Sequence, residues 1–210
     1  MNISLRNVHY SIITEGDNGI ESYGTPKRAA DAIMIDLTLN RRKTPIYADD
    51  KLRYYLDEFT DGAIRANMLD FIPEAQEDLF GVTRDANGAI VTCAEDEPKM
   101  VAFGFESDKR QGVSEFIWLY RVKFSPPNRT FNTKGESTTV NTPTTEGNIF
   151  QRIKPRYDNE HPIGVSLSTD GTAATDAILE AWFDSVYEPV DPNASQTPAE
   201  PAETTPGTTG

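Results

Sequence analysis

The sequence predicts a mainly antiparallel β fold, a sandwich or barrel, with a short middle helix and a C-terminal helix. Three observations carry this. Apolar residues recur mostly with period two, pairs of Asp, Asn and Gly punctuate those runs, and only two stretches have helical character. The 210 residues are 37% hydrophobic and 10% aromatic, which suits one domain with a core of its own.

The elements follow in order. Ile3 to Ile13 reads as a strand interrupted near Asn7, and Gly16-Asp17-Asn18-Gly19 supplies turn chemistry before Tyr23-Gly24-Thr25-Pro26. Ala29 to Leu39 alternates: Ile33, Ile35, Leu37 and Leu39 occupy one face, with Asp36 and Thr38 on the other. That predicts a strand with one buried side. Further strands are expected at Pro45–Ala48, Arg53–Phe59 and Gly62–Phe71, with Asp61-Gly62 as a tight turn between the last two. Asp85-Ala86-Asn87-Gly88 repeats the device before Ala89–Ala94. Met100–Glu106 and Phe116–Phe124 are the most apolar strands, and Thr138–Asn141, Gly147–Pro155 and Val165–Ser168 follow. Pro73 to Gly81 reads as a helix with Pro at its start, acids in its first turn and Gly after its end. Thr172 to Tyr187 places Ala173, Ala177, Ile178, Ala181, Trp182 and Val186 at helical spacing.

From Glu188 to Gly210 there is no Lys, Arg or aromatic residue, and Pro, Thr, Ala and Glu dominate. Such a segment buries too little apolar surface to offset its chain entropy, so 188–210 is read as a disordered tail and 1–187 as the folded domain. The formal charge is −13, and the tail's four acids leave the body at −9. So acidic a body repels phosphate and disfavours tight nucleic-acid binding, but tolerates DNA that must slide past without sticking.

One cysteine, Cys93, excludes an internal disulfide. The first ten residues hold no apolar run suited to a signal peptide, and nothing reaches transmembrane length, so assembly in a cytoplasm is expected. The chemistry of catalysis is sparse. His9 and His161 lack an orienting partner, and Cys93 lies between Thr92 and Ala94 as a small core hydrophobe. No glycine series cradles a phosphate, and zinc spacing is absent. Asp49-Asp50 and Glu95-Asp96-Glu97 lack the alternating pattern of a calcium loop. Neither an enzyme nor a cofactor or metal site is expected.

Five stretches, in order, resemble the major tail protein family of phages with long non-contractile tails, the phi-thirteen type. They are Leu5-Arg6-Asn7-Val8-His9-Tyr10, Pro45-Ile46-Tyr47-Ala48-Asp49-Asp50, Leu79-Phe80-Gly81, Val101-Ala102-Phe103-Gly104-Phe105, and Phe116 to Phe124. Asp50 stands where that family more often has Asn, and a Pro/Thr-rich ending stands where some relatives carry an immunoglobulin-like domain. The resemblance implies a β-sandwich or barrel subunit of the tail-tube type, forming homohexameric rings that stack into a tube in the virion tail. Phage DNA would pass through the lumen without specific binding. The implied partners are further copies of the chain and the tape-measure, tail terminator and distal tail proteins, with no membrane.

The segment Arg41–Phe59 mixes charges with aromatics. Tyr47, Asp49, Asp50, Arg53, Tyr54 and Tyr55 are therefore expected at a ring-stacking interface, since Tyr and Arg suit interface cores. Phe103, Phe105, Trp118 and Tyr120 are expected in the core, the last two sharing one face of a strand. Two other classes fit the same composition. One is another virion β-protein, such as a terminator, neck or decoration protein, and the other is a carbohydrate-binding β-sandwich.

Overall fold

The computed structural model describes residues 2–16, 19–109, 112–133 and 142–193. In chain order the elements are β1 (Asn2–Glu15), β2 (Glu21–Tyr23), β3 (Lys27–Ala48), β4 (Lys51–Phe71), α1 (Pro73–Phe80), β5 (Thr83–Arg84) and β6 (Ile90–Val91). After them come β7 (Met100–Lys109), β8 (Ser114–Phe124), β9 (Thr144–Ile149), β10 (Gly164–Ser168) and α2 (Ala173–Glu180).

The fold is mainly β, and every strand pairing among the described residues is antiparallel. The main sheet runs β10-β8-β7-β1-β3-β4-β9, with β2 on β1, and β9 also pairs with β8. The path from β8 round to β9 therefore closes on itself as a six-stranded barrel. Closure is confined to one end. β1 meets β3 only where Val8, His9 and Tyr10 face Ala30, Arg28 and Lys27, and β8 meets β9 only over Val122–Phe124.

That end is plugged by α1, which buries Ala75, Leu79 and Phe80 against Phe71, Val101 and Phe124. Pro73 opens the helix, and Gly81 ends it at φ 74° with its N–H donating to the Glu77 carbonyl. A Cβ at Gly81 would lie 2.4 Å from the Glu97 carbonyl oxygen, so both conformation and space require glycine there. Asp78 anchors the plug. Its carboxylate accepts from Tyr10 Oη (2.9 Å) and Lys99 Nζ (2.6 Å).

A second apolar cluster lies on the sheet's other face, where Ala102, Trp118 and Tyr120 pack under Leu179, Trp182 and Val186. Gly104, opposite Trp118 on β7, leaves room for the indole, since a Cβ would sit 2.6 Å from the ring. Phe103 and Phe105 point into the barrel, so all four residues expected in the core are buried, divided between its two faces.

Several sequence expectations differ from the structure. Asp61-Gly62 is not a turn: β4 runs unbroken through it, because Gly62 packs between Leu39 and Ile149 where a Cβ would approach both to 3.0 Å. The reversal falls at Asp49-Asp50 instead, joining two strands of about 20 residues each. The Ala89–Ala94 strand reduces to Ile90–Val91, and Cys93 is exposed, not a core residue. β9 starts at Thr144 and stops at Ile149, earlier than Gly147–Pro155. The C-terminal helix ends at Glu180, and turns carry the chain to Tyr187 because burial of Trp182 and Val186 overrides helical spacing. The expected strand at Thr138–Asn141 and tail residues 194–210 lie outside the described residues.

Candidate interface on the β3–β4 hairpin

β9 covers β4 only from Gly62 to Asn67, and β1 reaches β3 only as far as Ala30. Beyond these points, from Arg41–Ala48 on one strand to Lys51–Phe59 on the other, the two strands pair, among the described residues, only with each other. Eight residues at ~3.3 Å each carry this ribbon about 25 Å clear of the barrel. Its turn has Asp49 at φ 53° and Asp50 at φ 57°, the two positive angles of a type I′ turn. Asp and Asn tolerate that conformation through their short polar side chains, which explains the Ala-Asp-Asp run.

The six residues expected at an interface all lie on this overhang. Tyr47 is 66% exposed, Tyr54 59% and Tyr55 56%, and Asp49, Asp50 and Arg53 are exposed as well. Tyr54 pairs with Ile46 and Tyr55 with Pro45, so the two tyrosines project from opposite faces. Arg53 donates to Asp49 at 2.8 Å across the turn, and Arg41 lies 3.8 Å from Asp57. Arg42, Lys43 and Lys51 make no ion pair among the described residues. A two-stranded ribbon with both faces wet is marginal in water, and its two open edges carry unpaired backbone groups.

The base of the hairpin holds what sequence reasoning missed. Ile33, Leu37 and Leu39 were expected to be buried, yet Leu37 is 41% and Leu39 46% exposed. Above Ala30 the barrel wall parts, and these leucines face Ile117, Leu119, Ile163 and Val165 across an open cavity of about 440 Å³. The alternation of Ala29–Leu39 identified an apolar face correctly. It carried no information about whether a second layer covers that face.

The C-terminal segment is strapped over the sheet's other side. Trp118 Nε1 donates to the Trp182 carbonyl at 3.1 Å, and Tyr120 Oη to the Tyr187 carbonyl at 2.9 Å. The buried Arg152 guanidinium lies over the rings of Tyr120 and Tyr23 and donates to Glu188 at 2.6 Å. Burial disfavours the Glu188 carboxylate, but hydrogen bonds from Arg152 and Lys154 outweigh it and hold its pKa below the ordinary value. Folded contacts thus reach Glu188, one residue past the boundary read from composition.

His9 stacks on Phe183 at 4.5 Å between ring centroids, and His161 Nδ1 lies 2.9 Å from the Arg152 carbonyl. Among the described residues no group of three or more His, Cys, Asp or Glu is placed to hold a metal ion. No described helix is long and apolar enough to cross a membrane. Compared with known proteins, the chain matches no family model and no curated relative.

Proposed function

We propose that this chain is a structural subunit that assembles with copies of itself, the tail-tube protein of a long-tailed phage, and not an enzyme. The overhanging hairpin carries the reading. Among the described residues nothing covers its tyrosines or its strand edges, whereas the plugged end of the barrel is packed, so the ribbon suits a neighbour. Its unpaired basic side chains suit a partner as acidic as this chain, whose net charge is −13. The resemblance supplies the finer terms: homohexameric rings, stacked into a conduit in the virion tail that DNA crosses without being held. The same acidity suits that passage, because a lumen of like sign to phosphate does not retain it.

Negative-stain electron microscopy beside light scattering tests this. The expected result is hollow tubes or rings with a central channel. Tyr47→Ala combined with Asp49→Ala is expected to abolish them while leaving the fold intact. Tubes of unchanged yield and length in that variant would reject the hairpin's role, and a monomer at high concentration would reject self-assembly.

A further inference from the structure

A second contact between copies is carried by features at opposite ends of the barrel. The loop after β8 leaves the sheet at Phe124, and the structure holds it near α1. Asn128 bridges to Thr144, and Arg129 donates to Gln76 Oε1 at 2.9 Å. Held this way, the loop displays Phe131 at 87% exposure, the largest value for any large apolar side chain among the described residues. A phenylalanine so exposed on an anchored loop is a knob without a hole.

The hole is at the other end. The unsealed part of the barrel presents about 440 Å³ between Leu37 and Leu39 on one side and Ile117, Leu119 and Val165 on the other. That is room for an aromatic ring among aliphatic neighbours, with Glu115 as the charged lining residue. Phe131 cannot fill its own cavity. Glu115–Leu119 lie towards the start of β8 and the loop departs from its end, about 20 Å away along the strand.

We infer that Phe131 of one copy seats in the Leu37–Leu39–Ile117 cavity of the next. Knob and hole are different surfaces, so the contact is heterologous and propagates head to tail instead of closing into a pair. The overhanging hairpin rises beside this cavity, so a copy seated there also meets Tyr47 and Tyr55. Arg129, beside the knob, approaches the end that carries Glu115, whose carboxylate already faces Lys109 at 2.9 Å. This contact rests on the self-assembly reading but not on the hairpin's part in it.

Disulfide trapping tests the contact, on a Cys93→Ser background that removes the native thiol. Phe131→Cys mixed with Leu39→Cys is expected to cross-link into dimers on mild copper-catalysed air oxidation. A chain bearing both substitutions is expected to give a ladder of dimers, trimers and higher species. Phe131→Ala should raise the concentration needed for assembly at least about tenfold with an unchanged circular-dichroism spectrum, as for an aromatic anchor in a pocket. Three results would overturn the inference: homodimers from either single-cysteine variant as the main product, no ladder from the double variant, or assembly of Phe131→Ala at the wild-type concentration. If Leu39→Lys blocks assembly while the cysteine pair fails to cross-link, something other than Phe131 fills the cavity. Should Phe131→Ala assemble normally while the Tyr47 and Asp49 double variant does not, the tube reading survives and this contact falls. If the wild type never self-associates, both fall.

Discussion

The two halves of the β3–β4 ribbon belong to the same pair of strands, with a register shift between Asn40 and Arg41, yet live in different environments. In the lower half, Gly62, Ile64, Ala66 and Met68 alternate with exposed residues and are buried against β9 and the barrel interior. In the upper half, Tyr47, Tyr54 and Tyr55 meet water on both faces. On β4 the lower half is covered within one chain, while Leu37 and Leu39 beside it on β3 border the open cavity. The upper half is an open surface whose tyrosines and strand edges no described residue covers, so one element is core at one end and exposed at the other, where the proposed assembly would place a neighbour.

The largest loss of stability is expected where the folded chain is most tightly packed. Trp118→Ala removes an indole buried between Gly104 and the C-terminal strap, and is expected to cost about 3–5 kcal/mol, read as a lower melting temperature. That approaches the whole stability of an ordinary domain. Tyr47→Ala with Asp49→Ala should cost the monomer about 1 kcal/mol, the strain of alanine at the positive φ of Asp49. Equal losses from the two would show that the overhang is part of the folding unit.

An intermediate effect is expected at the strap. Glu188→Gln leaves the Arg152 charge buried and weakly compensated. Because Glu188 is half exposed and screened, a cost of about 1–2 kcal/mol at pH 7 is expected. The pH dependence has a definite sign. The folded pKa of Glu188 lies below its unfolded value, so its contribution is fully present above the ordinary glutamate value of about 4.3 and is lost as pH falls through the folded pKa. Denaturation curves for wild type and variant should therefore approach one another as pH falls below the ordinary glutamate value and converge only below the folded pKa. A gap that persists there would assign the effect to packing and not to charge.

The smallest effect is expected at the hairpin turn. Asp50→Gly relieves a non-glycine residue at φ 57° and is expected to firm the ribbon by about 0.5 kcal/mol. Amide exchange at Tyr47 and Arg53 should slow about twofold, with no change in barrel amides. An unchanged rate would mean that the Arg53–Asp49 contact, and not the turn, limits opening of the tip.

What the sequence determined by itself was local. Period-two alternation, the Pro73 and Gly81 helix signals, the Asp85–Gly88 turn and the burial of Phe103 and Trp118 depend on near neighbours along the chain, and composition reports them. The six hairpin residues were legible as a group because Tyr, Arg and Asp crowd one short stretch. Tertiary structure alone decided where the chain reverses. Asp61-Gly62 has the better turn composition, but Gly62 is needed where β4 presses on Ile149 and Leu39, so the turn moves to Asp49-Asp50. It also decided that the alternation of Ile33 to Leu39 produces a partly open face, since coverage depends on β1 and β8, which the local pattern cannot report. Pairing partners and their reach are set by the whole chain at once, and the boundary between covered and exposed lengths of β3 and β4 follows from them.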